Sequence, residues 1–223
     1  KRIKPFFQPI YNIETGKTQD VLKRLNSLGI IYAVYSTRKH SEYRPRLRVL
    51  ILTDRSMSSD EYEPVARKLG SYIGIAMCDP TTFEVARLMF WPSCSSDSQY
   101  IYQFENKALV SVDGILKQYK DWSDYTEWPQ VPGQEKIIVG QLKKQENPLD
   151  KKGVIGAFCK TYTIQEAVDK YLPDVYENTD MKDRLTYIEG STANGAVIYD
   201  DIFLYSHHAT DPAGQKLCNA FDL

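Results

Sequence analysis

Two stretches of the chain carry oxygen ligands of the kind that a divalent cation accepts. Asn12 and Glu14 are separated by one residue at the end of a predicted strand, so period-two geometry places both side chains on one face. Asp79 follows the apolar stretch 73–77 and precedes Pro80, so it can bring a further carboxylate to the same edge. Convergent carboxylates serve two-metal phosphoryl transfer by neutralising the attacking and leaving oxygens. The alternative for Asp79 is a turn before Pro80, a common position for Asp, and spacing does not decide between the two.

A second group of residues has the chemistry of a phosphate site. Residues 36–40 read Ser-Thr-Arg-Lys-His directly after a predicted buried strand, and Arg44, Arg46 and Arg48 follow. Arginine forks match phosphate oxygens bidentately, and lysine adds a point charge. A solvated basic loop is the simpler interpretation, and spacing alone favours it.

The segment 206–212 reads Ser-His-His-Ala-Thr-Asp-Pro and contains two of the three histidines. Adjacent histidines on a strand point to opposite faces, so both cannot easily bind one metal. A serine hydrolase would need a G-x-S-x-G elbow, which the chain lacks. The segment therefore indicates a structural turn held by Ser, Thr and Asp, with contact to nucleic acid as the second interpretation.

The overall composition is that of a soluble globular chain. Its 223 residues are 42% hydrophobic and 26% charged, and the net charge is -1. A uniformly basic nucleic-acid coat is excluded, so a polyanion must be held by a local patch. The four cysteines include no CxxC pair, which indicates reduced thiols in the cytoplasm and disfavours a zinc ribbon. No apolar run approaches the roughly 18 residues of a membrane span, so no membrane partner is expected.

The elements that must position these residues alternate between strand and helix patterns. Strands are predicted at 10–14, 30–35, 46–52, 74–77, 88–91 and 100–104, and helices at 18–28 and 60–69. The second helix has Ser58 or Ser59 near its cap and Gly70 after it. This order predicts an α/β (α+β) sheet domain. Most of the 16 Tyr and 3 Trp suit a core, and some could stack on bases.

The composition divides the chain into three predicted regions. They are a core at 1–129, a polar connector at 130–152 with a helix at 135–144, and an accessory α+β region at 153–223. The accessory region should contain an amphipathic helix at 163–172, capped by Thr163 with Glu166 three residues on. Short strands at 187–188, 196–199 and 202–205 predict a small sheet.

The ordered motifs resemble those of phage primase-polymerases of the archaeo-eukaryotic primase superfamily. More narrowly, the chain resembles the primase part of virulence-associated E family replication proteins of phages, prophages and mobile elements. The resemblance extends over nearly the whole chain, at residues 35–40, 45–48, 60–62, 79–84, 87–93, 153–159 and 206–212. It implies a two-part catalytic fold with an RRM-like sheet, and a C-terminal helicase ATPase module in the same protein or operon as partner.

The resemblance also implies roles for individual residues. Asn12, Glu14 and Asp79 correspond to the ligands of Mg²⁺ or Mn²⁺, and His40 to a further catalytic residue. Contacts to the nucleotide are implied for Ser36, Thr37, Lys39, His40, Arg46, Arg48 and Arg87. Relatives usually have Asp at the first position, and the amide of Asn12 brings no charge to a cation. An engineered Asp-to-Asn exchange or a naturally degenerate site would explain this departure, and the otherwise well-kept motifs favour the exchange.

Three functional hypotheses follow. The leading one is template-directed nucleotidyl transfer, as a DNA primase/polymerase that uses NTP or dNTP on a single-stranded DNA template and primer in the bacterial cytoplasm. The alternative is a catalytically inactive DNA- or nucleotide-binding module that recruits a replicative helicase. A metal-dependent nuclease is a third option, because the same carboxylates could activate water.

Overall fold

The computed structural model describes residues 9–85, 92–134, 138, 140, 142, 144–208 and 210–223. The chain divides into two compact units, unit 1 with residues 1–120 and 128–132, and unit 2 with residues 121–127 and 133–223. Each unit has its own antiparallel sheet, so the predicted α+β fold is confirmed. The boundaries 1–129, 130–152 and 153–223, and the RRM-like and primase-polymerase character of the fold, stay predictions.

Unit 1 is built on a four-stranded antiparallel sheet with the strand order β1-β3-β2-β4. Its strands are β1 (Ile10–Ile13), β2 (Tyr32–Ser36), β3 (Leu47–Ile51) and β4 (Tyr102–Glu105). The registers of the three pairs align one residue from each strand in a single row. From β1 to β4, that row consists of Asn12, Arg48, Tyr35 and Tyr102.

The core of unit 1 lies on the other face of this sheet. Tyr11, Val49 and Val34 are register partners, and all three are fully buried. The helices of this unit are α1 (Thr18–Ser27), α2 (Ser59–Ile73) and α3 (Val112–Leu116). The Tyr11 hydroxyl donates to the carbonyl of Ala66 in α2 (2.9 Å). Because successive strand residues alternate between faces, the row that contains Asn12 faces away from this core.

Helix α2 begins as the sequence predicts and ends later. Ser58 is its cap, since its side chain accepts from the Glu61 amide while the Glu61 carboxylate accepts from the Ser58 amide. The predicted end at Gly70 is wrong, because the helix continues to Ile73 and ends at Gly74, whose φ is 118°. Gly70 serves packing instead: a Cβ there would lie 3.1 Å from the Phe83 ring.

Three further predictions differ from the structure or fall outside it. The predicted strand at 74–77 is wrong, because left-handed Gly74 starts a 3₁₀ helix over Ile75–Met77. Helix α3 was missed, since five residues show too little periodicity; the Ser111 side chain caps it. The predicted strand at 88–91 and most of the predicted helix at 135–144 lie outside the described residues.

Unit 2 carries a five-stranded antiparallel sheet whose strands pair in chain order. Its elements are α4 (Gly153–Thr161), α5 (Ile164–Tyr171), β5 (Tyr176–Asn178), β6 (Arg184–Tyr187), β7 (Ala196–Tyr199), β8 (Phe203–Ser206) and β9 (Leu217–Asn219). The predicted small sheet and the capping box of Thr163 with Glu166 are confirmed. Ile164, Leu185 and Leu204 form the centre of the core. Within the described part of the chain, no helix is long and apolar enough to span a membrane.

Candidate nucleotide-binding site

A cavity of about 420 Å³ lies at the ends of β1 and β2 and the start of β3. Four cationic side chains and two carboxylates line it, with an amide, a hydroxyl and a phenol among the neutral groups. These residues are Arg38, Lys39, Arg46, Arg48, Glu14, Asp79, Asn12, Thr37 and Tyr35. The excess of cations makes this a local positively charged patch in a chain whose net charge is -1.

Strand β1 and the segment that follows α2 bring the three oxygen-bearing residues together. Asn12 and Glu14 both line the cavity, as period-two spacing predicts. Ile13 forms an antiparallel bridge with Cys78, and the Asp79 amide donates to the Asn12 carbonyl (2.8 Å). This pairing holds Asp79 beside β1, so its carboxylate reaches the same sheet edge.

Asp79 is a turn residue and also lies at the cavity, while its role as a cation ligand stays a prediction. Its Oδ1 accepts from the amide (3.0 Å) and the hydroxyl (2.8 Å) of Thr81, and thereby caps the 3₁₀ helix Pro80–Phe83. The same residue lines the cavity. A turn residue and a candidate cation ligand are therefore one side chain.

Arginine side chains engage the other two oxygen-bearing residues. The Arg48 Nε donates to Asn12 Oδ1 (2.9 Å), and Arg46 forms an ion pair with Glu14. The Glu14 side chain is 42% exposed in this pair. The Arg46 side chain is 20% exposed, so the pair is partly shielded from solvent on the arginine side.

His40 lies in the loop between β2 and β3 and is not among the residues that line the cavity. Its Nδ1 accepts from the Arg46 amide (3.0 Å), and its own amide donates to the Thr37 carbonyl (2.9 Å). The Thr37 amide in turn donates to the Arg46 carbonyl (2.8 Å). Burial lowers the pKa of the imidazole, in keeping with a neutral ring that accepts at Nδ1. His40 thus positions two residues that face the cavity.

The remaining sequence-predicted nucleotide contacts separate into different places. Ser36 is fully buried on the core face, where its Oγ accepts from the Ile101 amide (2.9 Å). Thr37 and Lys39 line the cavity. Arg87 lies outside the described residues.

Tyr35 is a cavity residue that sequence reasoning missed. It is 5% exposed, and its hydroxyl is buried without a hydrogen-bond partner among the residues that the structure describes, as is the Nε of Arg46. Both groups donate, and a buried donor left unsatisfied costs about 1–3 kcal/mol. A ligand rich in acceptor oxygens would satisfy both. The available signal was the alternation along β2, which puts Tyr35 on the face of its register partner Arg48.

The oxygen-bearing residues match Mg²⁺ or Mn²⁺ in ligand type, and their negative charge is low. Asn12, Glu14 and Asp79 offer one amide and two carboxylates, which are ligands of hard cations, at a single cavity. In the described ranges there is no group of three or more His, Cys, Asp or Glu side chains that could hold a metal ion. The third carboxylate that the resemblance implies is replaced by Asn12.

Fold and cavity together define an α+β protein with a cation-rich cavity at a sheet edge. Residues 12–131, more than half of the chain, match the family model described as the VapE N-terminal domain. The chain belongs to this family, and with it to the VapE-like replication proteins of phages and plasmids. A search among curated proteins and a search among solved structures found no match. The matched range includes every residue that lines the cavity.

Proposed function

We propose that unit 1 is the nucleotidyltransferase part of a replication protein, a DNA primase/polymerase of the archaeo-eukaryotic primase type whose activity Asn12 weakens. One observation supports the proposal: a single cavity is lined by residues to which the resemblance gives roles in cation and nucleotide binding. They are Asn12, Glu14, Thr37, Lys39, Arg46, Arg48 and Asp79. The substrates are a single-stranded DNA template, a primer and NTP or dNTP, in the cytoplasm of a bacterial host.

The triphosphate would bind through the cations of this cavity. A volume of about 420 Å³ lies within the roughly 300–1,000 Å³ of small-molecule sites. Phosphate oxygens would take the places of Glu14 on Arg46 and of Asn12 on Arg48, because guanidinium forks bind phosphate bidentately. They would also satisfy the hydroxyl of Tyr35. Triphosphate binding would thus release oxygen ligands for the cation.

In the transfer the primer 3′-hydroxyl gives its proton to solvent and O3′ bonds to the α-phosphorus. The bond from the α-phosphorus to the oxygen that bridges to the β-phosphorus breaks, and pyrophosphate leaves. Glu14 and Asp79, with the carbonyl of Asn12, would hold Mg²⁺ or Mn²⁺, which lowers the pKa of the 3′-hydroxyl and stabilises the pyrophosphate. Arg46 and Arg48 hold the phosphates in line. Thr37 and Lys39 add contacts at the edge of the loop, and His40 fixes the backbone that presents Arg46.

The alternative function is a catalytically inactive module that binds DNA or a nucleotide and recruits a replicative helicase. It is favoured by the contacts of Asn12 with Arg48 and of Glu14 with Arg46, since both side chains already have cationic partners. In this alternative Asn12 is native, and the cavity holds an anion without acting on it.

Primer extension and de novo dinucleotide synthesis with Mn²⁺ test the proposal on this chain and on Asn12→Asp. Incorporation should appear, or rise sharply, in Asn12→Asp, and a Glu14→Gln exchange in that background should abolish it. If neither form incorporates nucleotide while both bind DNA, the inactive module is correct. Template shortening without added nucleotide would instead indicate the nuclease.

A further inference from the structure

The sheet face that carries the cavity continues onto exposed aromatic side chains at the outer strand β4. The row that contains Asn12 and Arg48 ends at Tyr102. The next row on this face consists of Ile10, Leu50, Ala33 and Phe104. Cation-bearing and aromatic positions therefore lie on the same face of the sheet, with the buried Tyr35 between Arg48 and Tyr102.

The aromatic side chains on this surface are unusually accessible. Tyr102 is 62% and Phe104 51% exposed, and as alternate strand residues they stand about 6.7 Å apart on the same face. Tyr100, two residues earlier, is 49% exposed. Clustered exposed apolar side chains mark interaction sites, so this strand offers aromatic rings to a partner.

We propose that Tyr102 and Phe104 stack on unpaired bases of a single-stranded DNA whose backbone phosphates contact the cations of the adjacent cavity. Every base has a π-face, so such stacking needs no sequence specificity. Charge complementarity selects the polyanion, because Arg38, Lys39, Arg46 and Arg48 outnumber the two carboxylates there. The proposal rests on the proposed function, since this strand would be the template or primer of the transfer.

Anisotropy of fluorescein-labelled oligo-dT and of an equally long abasic strand, without cation or nucleotide, tests the stacking. The double variant Tyr102→Leu, Phe104→Leu keeps apolar side chains and removes the aromatic rings. It should bind oligo-dT at least about tenfold more weakly, because two bases lose the aromatic rings on which they stack. Its affinity for the abasic strand should stay unchanged, and Tyr102→Trp, Phe104→Trp should bind like the parent. Tyr171→Leu, at 51% exposure in unit 2, is the matched control.

Three results would overturn the stacking. In the first, the double variant binds oligo-dT as tightly as the parent does. In the second, the double variant binds oligo-dT and the abasic strand more weakly by the same factor. In the third, the parent self-associates in sedimentation, whereas the double variant is monomeric with unchanged DNA affinity. The first of these together with incorporation by Asn12→Asp removes the stacking and leaves the transfer function. A base-dependent loss without any incorporation supports the stacking and removes the transfer function.

Discussion

Two regions of the molecule collect histidine, hydroxyl and carboxylate side chains, and they differ in how those groups are satisfied. In unit 1 the Tyr35 hydroxyl and the Arg46 Nε are buried donors without partners in the described part of the chain. In unit 2 the ring nitrogens of His208 both have partners, Thr192 Oγ1 at 2.7 Å and the Tyr187 amide at 3.3 Å.

Asp211 and His207 of the same unit 2 segment also have partners. The Asp211 carboxylate accepts from the Tyr176 hydroxyl at both oxygens (2.9 and 3.0 Å) and from the Ala213 amide (2.8 Å). The His207 ring stacks on Tyr125 with centroids 4.2 Å apart. These contacts support the structural turn that the sequence indicated. Residue type therefore does not distinguish the two regions, whereas the presence or absence of hydrogen-bond partners among the described residues does.

The largest expected effect is a loss of stability in unit 2, where the polar groups have hydrogen-bond partners. Asp211→Ala should lower the free energy of unfolding by about 2–5 kcal/mol, since it leaves a buried hydroxyl of Tyr176 and the amide of Ala213 without an acceptor. Urea denaturation followed by circular dichroism measures this loss. Asp174→Ala, an exposed position of the same unit, should stay within about 0.5 kcal/mol. Equal free energies of unfolding for the two variants would show that the hydrogen bonds of Asp211 do not stabilise the unit.

Removal of a cavity cation should have the opposite profile, with a strong effect on binding and a weak one on stability. Arg46→Ala should weaken triphosphate binding about 10–100-fold, because hydrogen bonds to charged groups contribute about 1.5–3 kcal/mol. Unfolding should change by less than about 1 kcal/mol, as the ion pair with Glu14 is partly exposed. Calorimetric titration with a nucleoside triphosphate checks this, with Lys23→Ala on α1 as control. Unchanged affinity would remove Arg46 from the site.

One exchange made in both regions gives the sharpest contrast. Tyr176→Phe should cost about 1–2 kcal/mol of stability, since Asp211 loses a donor. Tyr35→Phe removes an unpartnered hydroxyl, so it should leave stability unchanged or raise it by about 1 kcal/mol. It should also weaken triphosphate binding about 3–10-fold, as one hydrogen bond is lost. Urea denaturation measures the change in stability, and calorimetry measures the change in triphosphate affinity. If Tyr35→Phe destabilises the protein as much as Tyr176→Phe does, the Tyr35 hydroxyl stabilises the fold.

The sequence predicts what depends on local pattern and misses what depends on register and packing. Alternation and caps located β1 and the start of α2, because these signals lie within a few residues. The sequence predicts the end of α2 at Gly70, but α2 continues to Ile73. Gly70 is a glycine because it packs against the Phe83 ring, which is distant in sequence. Motif spacing grouped Ser36 with Thr37, yet adjacent residues there face opposite ways.

The smallest effect concerns His40. It resembles His208, because a ring nitrogen of each accepts a hydrogen bond from a backbone amide. Burial lowers the pKa of His40 from the ordinary 6.5, so the stability from its neutral form is fully present above that value and is lost as pH falls through the lowered pKa. Protonation turns Nδ1 from acceptor to donor against the Arg46 amide, a loss of about 0.5–1.5 kcal/mol.

Hydrogen exchange of the Arg46 amide, followed by NMR and corrected for intrinsic pH dependence, reports this loss directly. As the pH is lowered, the protection of this amide should decrease in the parent. It should stay constant in His40→Asn, because the side-chain carbonyl of Asn is an acceptor without a titrating proton. A His40 that titrates at or above the ordinary value would show the ring to be solvated. His40 would then not hold the Arg46 amide in the way that His208 holds the Tyr187 amide in unit 2. The position of Arg46 would depend on its ion pair with Glu14.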